Sequence, residues 1–155
     1  YGVFKKRIRE TIERARGIVD DACIYDVKKG MTKMDEAVGI LAQFRDAGDT
    51  DEILARATPL QQGFRMLAHA WMHLWALAIC LGRLKELVGS KDAETIRARI
   101  RENPEAAYYY GRSLSARFYL NTEFRKYFGV VDCVISGECA VTEAVDEVFT
   151  GALEA

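Results

Sequence analysis

Scarcity is the most informative property of this 155-residue sequence, which has two prolines, two histidines, two tryptophans and no long charge-free apolar run. So few prolines leave long helices uninterrupted, and both lie where helices begin. Thr58-Pro59-Leu60-Gln61 offers a capping hydroxyl, proline at the first helical position and Gln at the third, and Asn103-Pro104-Glu105 repeats the cap-plus-proline logic. The best apolar run, Met66 to Gly82, holds both histidines between Arg65 and Arg83, so no membrane span is expected. A signal peptide is also lacking.

Cys23, Cys80, Cys133 and Cys139 contain no CxxC pair, which removes the zinc-ribbon and dithiol classes. Set in apolar helical sequence, they are expected to be small core residues of a reduced, cytoplasmic protein. Period-two alternation and hairpin dipeptides are missing, which argues against sheet. No glycines fall in GxGxxG or GxxxxGK[ST] spacing, which argues against a phosphate loop. The chain opens at Tyr1 rather than Met, almost directly in helical sequence, and is expected to be a C-terminal piece of a longer chain.

Net charge is −1, which gives no global reason to expect nucleic acid or an anionic membrane as partner. The charge is uneven, however. Residues 3–16 carry six basic side chains, among them Lys5, Arg9 and Arg16, against Glu10 and Glu13, whereas residues 132–155 carry six carboxylates and no Lys or Arg. The basic stretch lacks aromatic platforms, so two solvated faces, or an acidic tail against a basic helix, are expected.

What is present is helical periodicity. A first helix is expected from about Val3 to Lys28, with Phe4, Ile8, Ile12, Ala15 and Val19 on one stripe and Gly30 as its end. A second follows from a weak start at Thr32 and Asp35, running from Lys33 to Asp46 and stopping at Ala47-Gly48-Asp49, with a short turn at Asp51 to Arg56. The third and longest spans Leu60 to Val88. The fourth spans Pro104 to Ile135, with Tyr110, Leu114, Phe118, Phe124, Phe128, Val131 and Ile135 at helical spacing and a permitted bend at Gly129. Lys91 to Arg101 after Ser90, and Val141 to Phe149, predict short extra helices. Length and apolar content suit one core, so the expectation is a single domain over residues 1–155: all-α, an up-down four-helix bundle with one or two short extra helices.

Catalytic constellations are sparse. His69 and His73 lie one turn apart in HAWMHLW, as zinc ligands do in HExxH, but Ala70 occupies the position of the base and no third ligand is near in sequence. The two histidines are therefore expected on a semi-polar helix stripe with Arg65 and Cys80, opposite Trp71 and Trp75, which should point into the core. The di-iron signature Glu-x-x-His does not occur. Ser113 and Ser115 sit in helical sequence without a nucleophile elbow. Tyr108-Tyr109-Tyr110 fans around a helix axis and cannot make one stacking surface. No residue is assigned a catalytic, cofactor-binding or metal-ligating role. The flanks of the third helix, with Met66, Met72, Leu77 and Ile79, carry more apolar area than a small bundle covers, which points to a partner surface.

Two stretches carry a family resemblance. QGFRMLAHAWMHLWALAICLGR, residues 62–83, resembles a helix of the all-helical domain at the C-terminal end of some bacterial acyl-CoA dehydrogenases, through Phe64, Leu67 and Trp71 to Trp75. RFYLNTEFRKYFGVVDCVISG, residues 117–137, is similar to a later helix of that domain through Phe118, Tyr119, Val134, Ile135 and Gly137, with Phe124-Arg125 in place of the family's Leu-Pro. The resemblance implies a parent flavoenzyme that removes the α and β hydrogens of an acyl-CoA thioester, using a carboxylate base and FAD. It implies no FAD site in this chain, whose expected partners are the catalytic domains of the same polypeptide, or a second copy. The alternative is a free-standing helical module that dimerises through the third helix; a third reading is a small metal-binding bundle using His69 and His73.

Overall fold

The computed structural model describes residues 1–89, 92–138 and 140–150, and among them the chain is helical with no strand. The elements are α1 (Gly2–Ala15), α2 (Asp21–Ala47), α3 (Thr50–Ala55), α4 (Ala57–Val88), α5 (Ala93–Glu102), α6 (Pro104–Asn121), a 3₁₀ turn (Glu123–Arg125), α7 (Lys126–Ile135) and α8 (Asp146–Thr150).

The first two boundaries correct the sequence expectation. The helix expected from Val3 to Lys28 stops at Ala15, because Gly17 takes a left-handed φ of 71° that residues with a Cβ rarely adopt. Asp20 then caps a new helix by accepting the Ala22 N–H at 2.9 Å. This second helix, α2, passes straight through Gly30, Thr32 and Asp35, where a stop and a start were expected, and ends at Gly48 with φ 75°. Gly30 is glycine for closeness: a Cβ there would stand 2.7 Å from Cζ of Phe124 and 3.3 Å from Cε1 of Tyr127. Into that space the Tyr127 hydroxyl donates to the Gly30 carbonyl at 2.7 Å.

Proline placement is half as expected. Asn103 caps α6, accepting from the Glu105 and Ala106 N–H groups at 2.9 and 3.1 Å with Pro104 in the first turn. Thr58, by contrast, lies inside α4, which begins at Ala57 directly after α3 with Arg56 as the shared boundary residue. Asp92 caps α5 through Thr95 N–H at 2.8 Å; the expected cap, Ser90, lies outside the described residues.

The helix expected from Pro104 to Ile135 is divided, at Thr122 rather than at Gly129. The Thr122 hydroxyl turns back onto the Phe118 carbonyl at 2.6 Å, and the tight 3₁₀ turn that follows drives Phe124 fully into the core. Arg125 then reaches buried Asp26 of α2, with Nη1 to Oδ1 at 3.0 Å and Nη2 to Oδ2 at 2.6 Å. The expected apolar stripe of α6 is corrected as well: Leu114 and Phe118 are exposed, and the buried face is Ala106, Ser113, Ala116 and Leu120. Small residues on that face let α6 lie close along α4, its most extensive partner.

The core runs along α4, where Leu67, Ala70, Leu74 and Leu77 meet Ile8, Ile12, Val27, Met34, Leu120, Tyr127 and Val131. Contacts fix the relative directions. Phe4 lies against Phe64 and Trp71, and Gly17 and Ile18 share a groove with Leu81 and Gly82, so α1 and α4 run in the same sense. Lys5 of α1 pairs with Asp35 of α2 at 2.7 Å, Cβ positions of Gly30 and Gly63 meet Leu67 and Met34, and α2 therefore opposes both. Arg83 pairs with Glu105 at 3.2 Å while Gly63 abuts Val131, so α6 and α7 oppose α4.

Two further expectations change. Cys23 and Cys80 are buried, but Cys133 is exposed on α7, and Cys139 lies outside the described residues. By length and composition alone α4 is long and apolar enough to cross a membrane, contrary to the sequence expectation; core helices meet that description too, and the inner face of α4 is occupied by the residues named above. The acidic end sends Asp132 to Lys33 of α2 at 2.7 Å.

Candidate functional site

Helix α4 carries both histidines and both tryptophans, and its faces separate them. Trp71 is partly buried beneath α1, where its Nε1–H donates to Thr11 Oγ1 at 2.7 Å and the Phe4 ring meets it edge-on at 5.8 Å. Thr11 in turn donates to the Arg7 carbonyl at 3.0 Å, so the buried hydroxyl is used in both directions. Trp75 does not share this environment. Expected to face the core, it is 41% exposed, because the four-residue step from Trp71 carries it about 40° further round the helix, away from the inward line of Leu67, Leu74 and Leu77.

The histidine stripe is partly covered, with His73 half-buried and His69 exposed. His73 stacks on Tyr119 of α6 with ring centroids 4.4 Å apart, His69 meets the same ring edge-on at 6.1 Å, and the Tyr119 hydroxyl donates to the Met66 carbonyl at 3.4 Å. Partial burial holds the His73 imidazole below its ordinary pKa, and the Arg112 guanidinium and His69 push the same way. Burial likewise raises the Cys80 thiol, which Arg112 partly offsets. Among the described residues no group of three or more His, Cys, Asp and Glu side chains converges as metal ligands do.

Between these stripes lies the face that α4 leaves open. Met72, Trp75 and Ile79 are 45%, 41% and 47% exposed, while Met66 and Leu77, also expected on the flanks, are buried. A groove opens at each end of this face. One, of about 560 Å³, is lined by Tyr1, Phe4, Gln61, Phe64, Arg65 and Ala68. The other, of about 690 Å³, lies between the end of α1, α4 and α5, with Gly17, Ile18, Leu81 and Ile96 in its walls and Lys85 and Glu86 beside each other.

A polar cluster that sequence reasoning missed holds the far end of the fold. Arg56 is buried, pairs with the Glu52 carboxylate one turn earlier, and donates to the carbonyls of Val134, Ser136 and Glu138 at 3.2, 3.2 and 3.3 Å. Its guanidinium also lies 4.8 Å from the Phe44 ring centroid. The Thr142 hydroxyl donates to the second Glu52 oxygen at 2.6 Å, and this bond, with the Arg56 charge, holds the Glu52 carboxyl below its ordinary pKa against the opposing effect of burial. The Val134 carbonyl is one of those left open at the end of α7, the ordinary deficit of a helix C-terminus, while those of Ser136 and Glu138 belong to the C-cap and the segment that follows. The only local signal was a Glu-x-x-x-Arg spacing, which surface helices share. Glu52, Arg56 and Thr142 anchor chain segments; no substrate-sized cleft opens onto them among the described residues beyond a shallow one at Asp51, Leu54 and Val141.

A family model described as acetyl-CoA dehydrogenase C-terminal like matches residues 4–144. No curated protein and no solved structure matches the chain.

Proposed function

The chain belongs to the acetyl-CoA dehydrogenase C-terminal like family, and from that premise we propose that it is an accessory helical domain whose work is to pack on the catalytic body, or across a subunit interface, of an acyl-CoA dehydrogenase-like enzyme. The observation that carries the packing role is the open face of α4, where Met72, Trp75 and Ile79 stand in water on the longest helix of the fold. The opposed senses of α1 and α2, of α2 and α4, and of α4 and the α6 to α7 arm support the up-down four-helix arrangement expected from sequence.

On this reading the parent enzyme is a cytoplasmic flavoprotein of fatty acid metabolism. FAD, bound in its catalytic domains, accepts the hydride removed from the acyl-CoA thioester. The described residues of this chain do not fit that cofactor. The larger groove sets the single cation Lys85 beside the anion Glu86, so a diphosphate would meet no net positive field, and no glycine-rich turn offers convergent N–H groups there. The chain contributes surface and leaves the chemistry to its partner.

Two measurements test this. The reading frame upstream of Tyr1 is expected to encode several hundred residues of flavoprotein; a start codon close to Tyr1 would sink the proposal. The isolated chain is expected to be colourless, and tight stoichiometric FAD binding in a titration would contradict it. The same open face favours a second reading, a free-standing helical module that dimerises through α4, which the nearby start codon would support.

A further inference from the structure

The open face of α4 has a regular spacing. From Arg65 to Glu86, the outward positions advance by alternating steps of three and four residues: Ala68, Met72, Trp75, Ile79 and Gly82 lie between the two charges. This is the spacing of a seam between two helices supercoiled left-handedly, and here its centre, Met72, Trp75 and Ile79, faces solvent while Ala68 and Gly82 are half-buried. The seam extends over about 30 Å at 1.5 Å per residue.

We infer that the partner of this face is α4 of a second copy of the chain, packed antiparallel about a two-fold axis between Trp75 and Ala76. The seam is self-complementary in that sense alone. Reversing the helix about that midpoint carries Met72 onto the partner's Ile79 and Trp75 onto the partner's Ala76, a large residue against a small one. It also carries Arg65 onto the partner's Glu86, twice by symmetry. A parallel pairing would instead set Arg65 against Arg65 and Glu86 against Glu86. Arg65 is exposed, and Glu86 is held by an exposed i,i+3 pair with Arg83, which constrains it little. Small residues, Ala68 and Gly82, flank the bulky centre at both ends and let the helices approach. The inference deepens the subunit-interface part of the accessory-domain proposal by naming the face, the partner and the register.

The test is sedimentation velocity of the 155-residue chain over a wide concentration range, with charge reversals at the two ends. The wild-type chain is expected to dimerise. Arg65→Glu and Glu86→Arg should each weaken the dimer about tenfold, and the double reversal should restore it to within about threefold, because the two opposed charges are exchanged rather than lost. Met72→Lys with Ile79→Lys should abolish it while retaining helical circular dichroism, since both side chains are exposed in the single chain. A chain that stays monomeric at every concentration overturns the inference. So does a dimer indifferent to Arg65→Glu, or one that the double reversal fails to restore, because each denies this register. Flotation of a monomeric chain with phosphatidylcholine vesicles would assign the face to lipid instead and overturn it as well. A monomeric chain that binds a separately supplied flavoprotein body removes the self-pairing and leaves the accessory-domain proposal standing; a dimer whose reading frame begins near Tyr1 does the reverse.

Discussion

Gly30 and Phe124 meet with no room for a methyl group between them: the Cβ of an alanine at position 30 would lie 2.7 Å from the ring's Cζ. Phe124 cannot retreat easily, because it is fully buried, stacked on Tyr127 at 4.9 Å and tilted against Phe128 at 5.8 Å. Gly30→Ala should therefore destabilise the fold by about 1–2 kcal/mol, overpacking outweighing the gain in helix propensity. Gly39 lies in the same helix with nothing within 4 Å of its would-be Cβ, and Gly39→Ala should stabilise by about 1 kcal/mol. Urea midpoints of the two variants check the pair of opposite signs.

Arg56 closes the end of α7 with the same guanidinium that pairs with buried Glu52. Arg56→Met leaves the Glu52 carboxylate buried without its cation and three carbonyls without a donor. It should lower the thermal midpoint on the order of 10 °C, as breaking one side of a buried ion pair does. Arg56→Lys should recover only part of the loss, since an ammonium cannot reproduce the guanidinium's fan of donors. Thermal melts by circular dichroism decide this.

His73 gives stability a pH dependence. Its folded-state pKa is lowered, chiefly by burial against α6, from the ordinary 6.5. Between the lowered value and 6.5 the unfolded chain binds more protons than the folded one, so stability rises with pH through that window and is fully present above 6.5. Urea midpoints should fall as pH drops below 6.5, and His73→Gln should flatten that slope while leaving the acid loss due to Glu52, whose own pKa is depressed, at lower pH. An unchanged slope in the variant would disprove the assignment.

Thr11 serves Trp71 as an acceptor. Thr11→Val keeps the shape and removes the oxygen, leaving a partly buried indole N–H unpaired, and should cost about 1–2 kcal/mol. Thr11→Ser should cost less than half as much. Equal losses in the two variants, measured by urea unfolding, would show that the methyl group and not the hydrogen bond matters.

Sequence periodicity located the helical matter but not all of its joints. The long third helix and the Asn103-Pro104 start were legible because their signals are local: an apolar repeat and a cap. Gly17 and Gly30 were not distinguishable, since one ends a helix through its φ and the other admits the rings of Phe124 and Tyr127, more than ninety residues away in sequence. Trp75 was placed wrongly for a related reason. Helix periodicity gives an angle, but how much of the circumference of α4 its neighbours cover is set by tertiary packing. The inward face of α6 was hidden because close packing selected Ala106, Ser113 and Ala116, which carry little hydrophobic signal, while Phe118 remained outside at 64% exposure. The Arg56 anchor joins residues 78 to 82 positions apart, beyond the reach of any local pattern.

That anchor also acts as a gauge of chain length. Because one planar guanidinium takes carbonyls from Val134, Ser136 and Glu138, a single residue inserted between 134 and 138 would put every following carbonyl out of register with its donor. Tags or linkers inserted directly after α7 should therefore cut its last turn loose from Arg56 and lower the thermal midpoint.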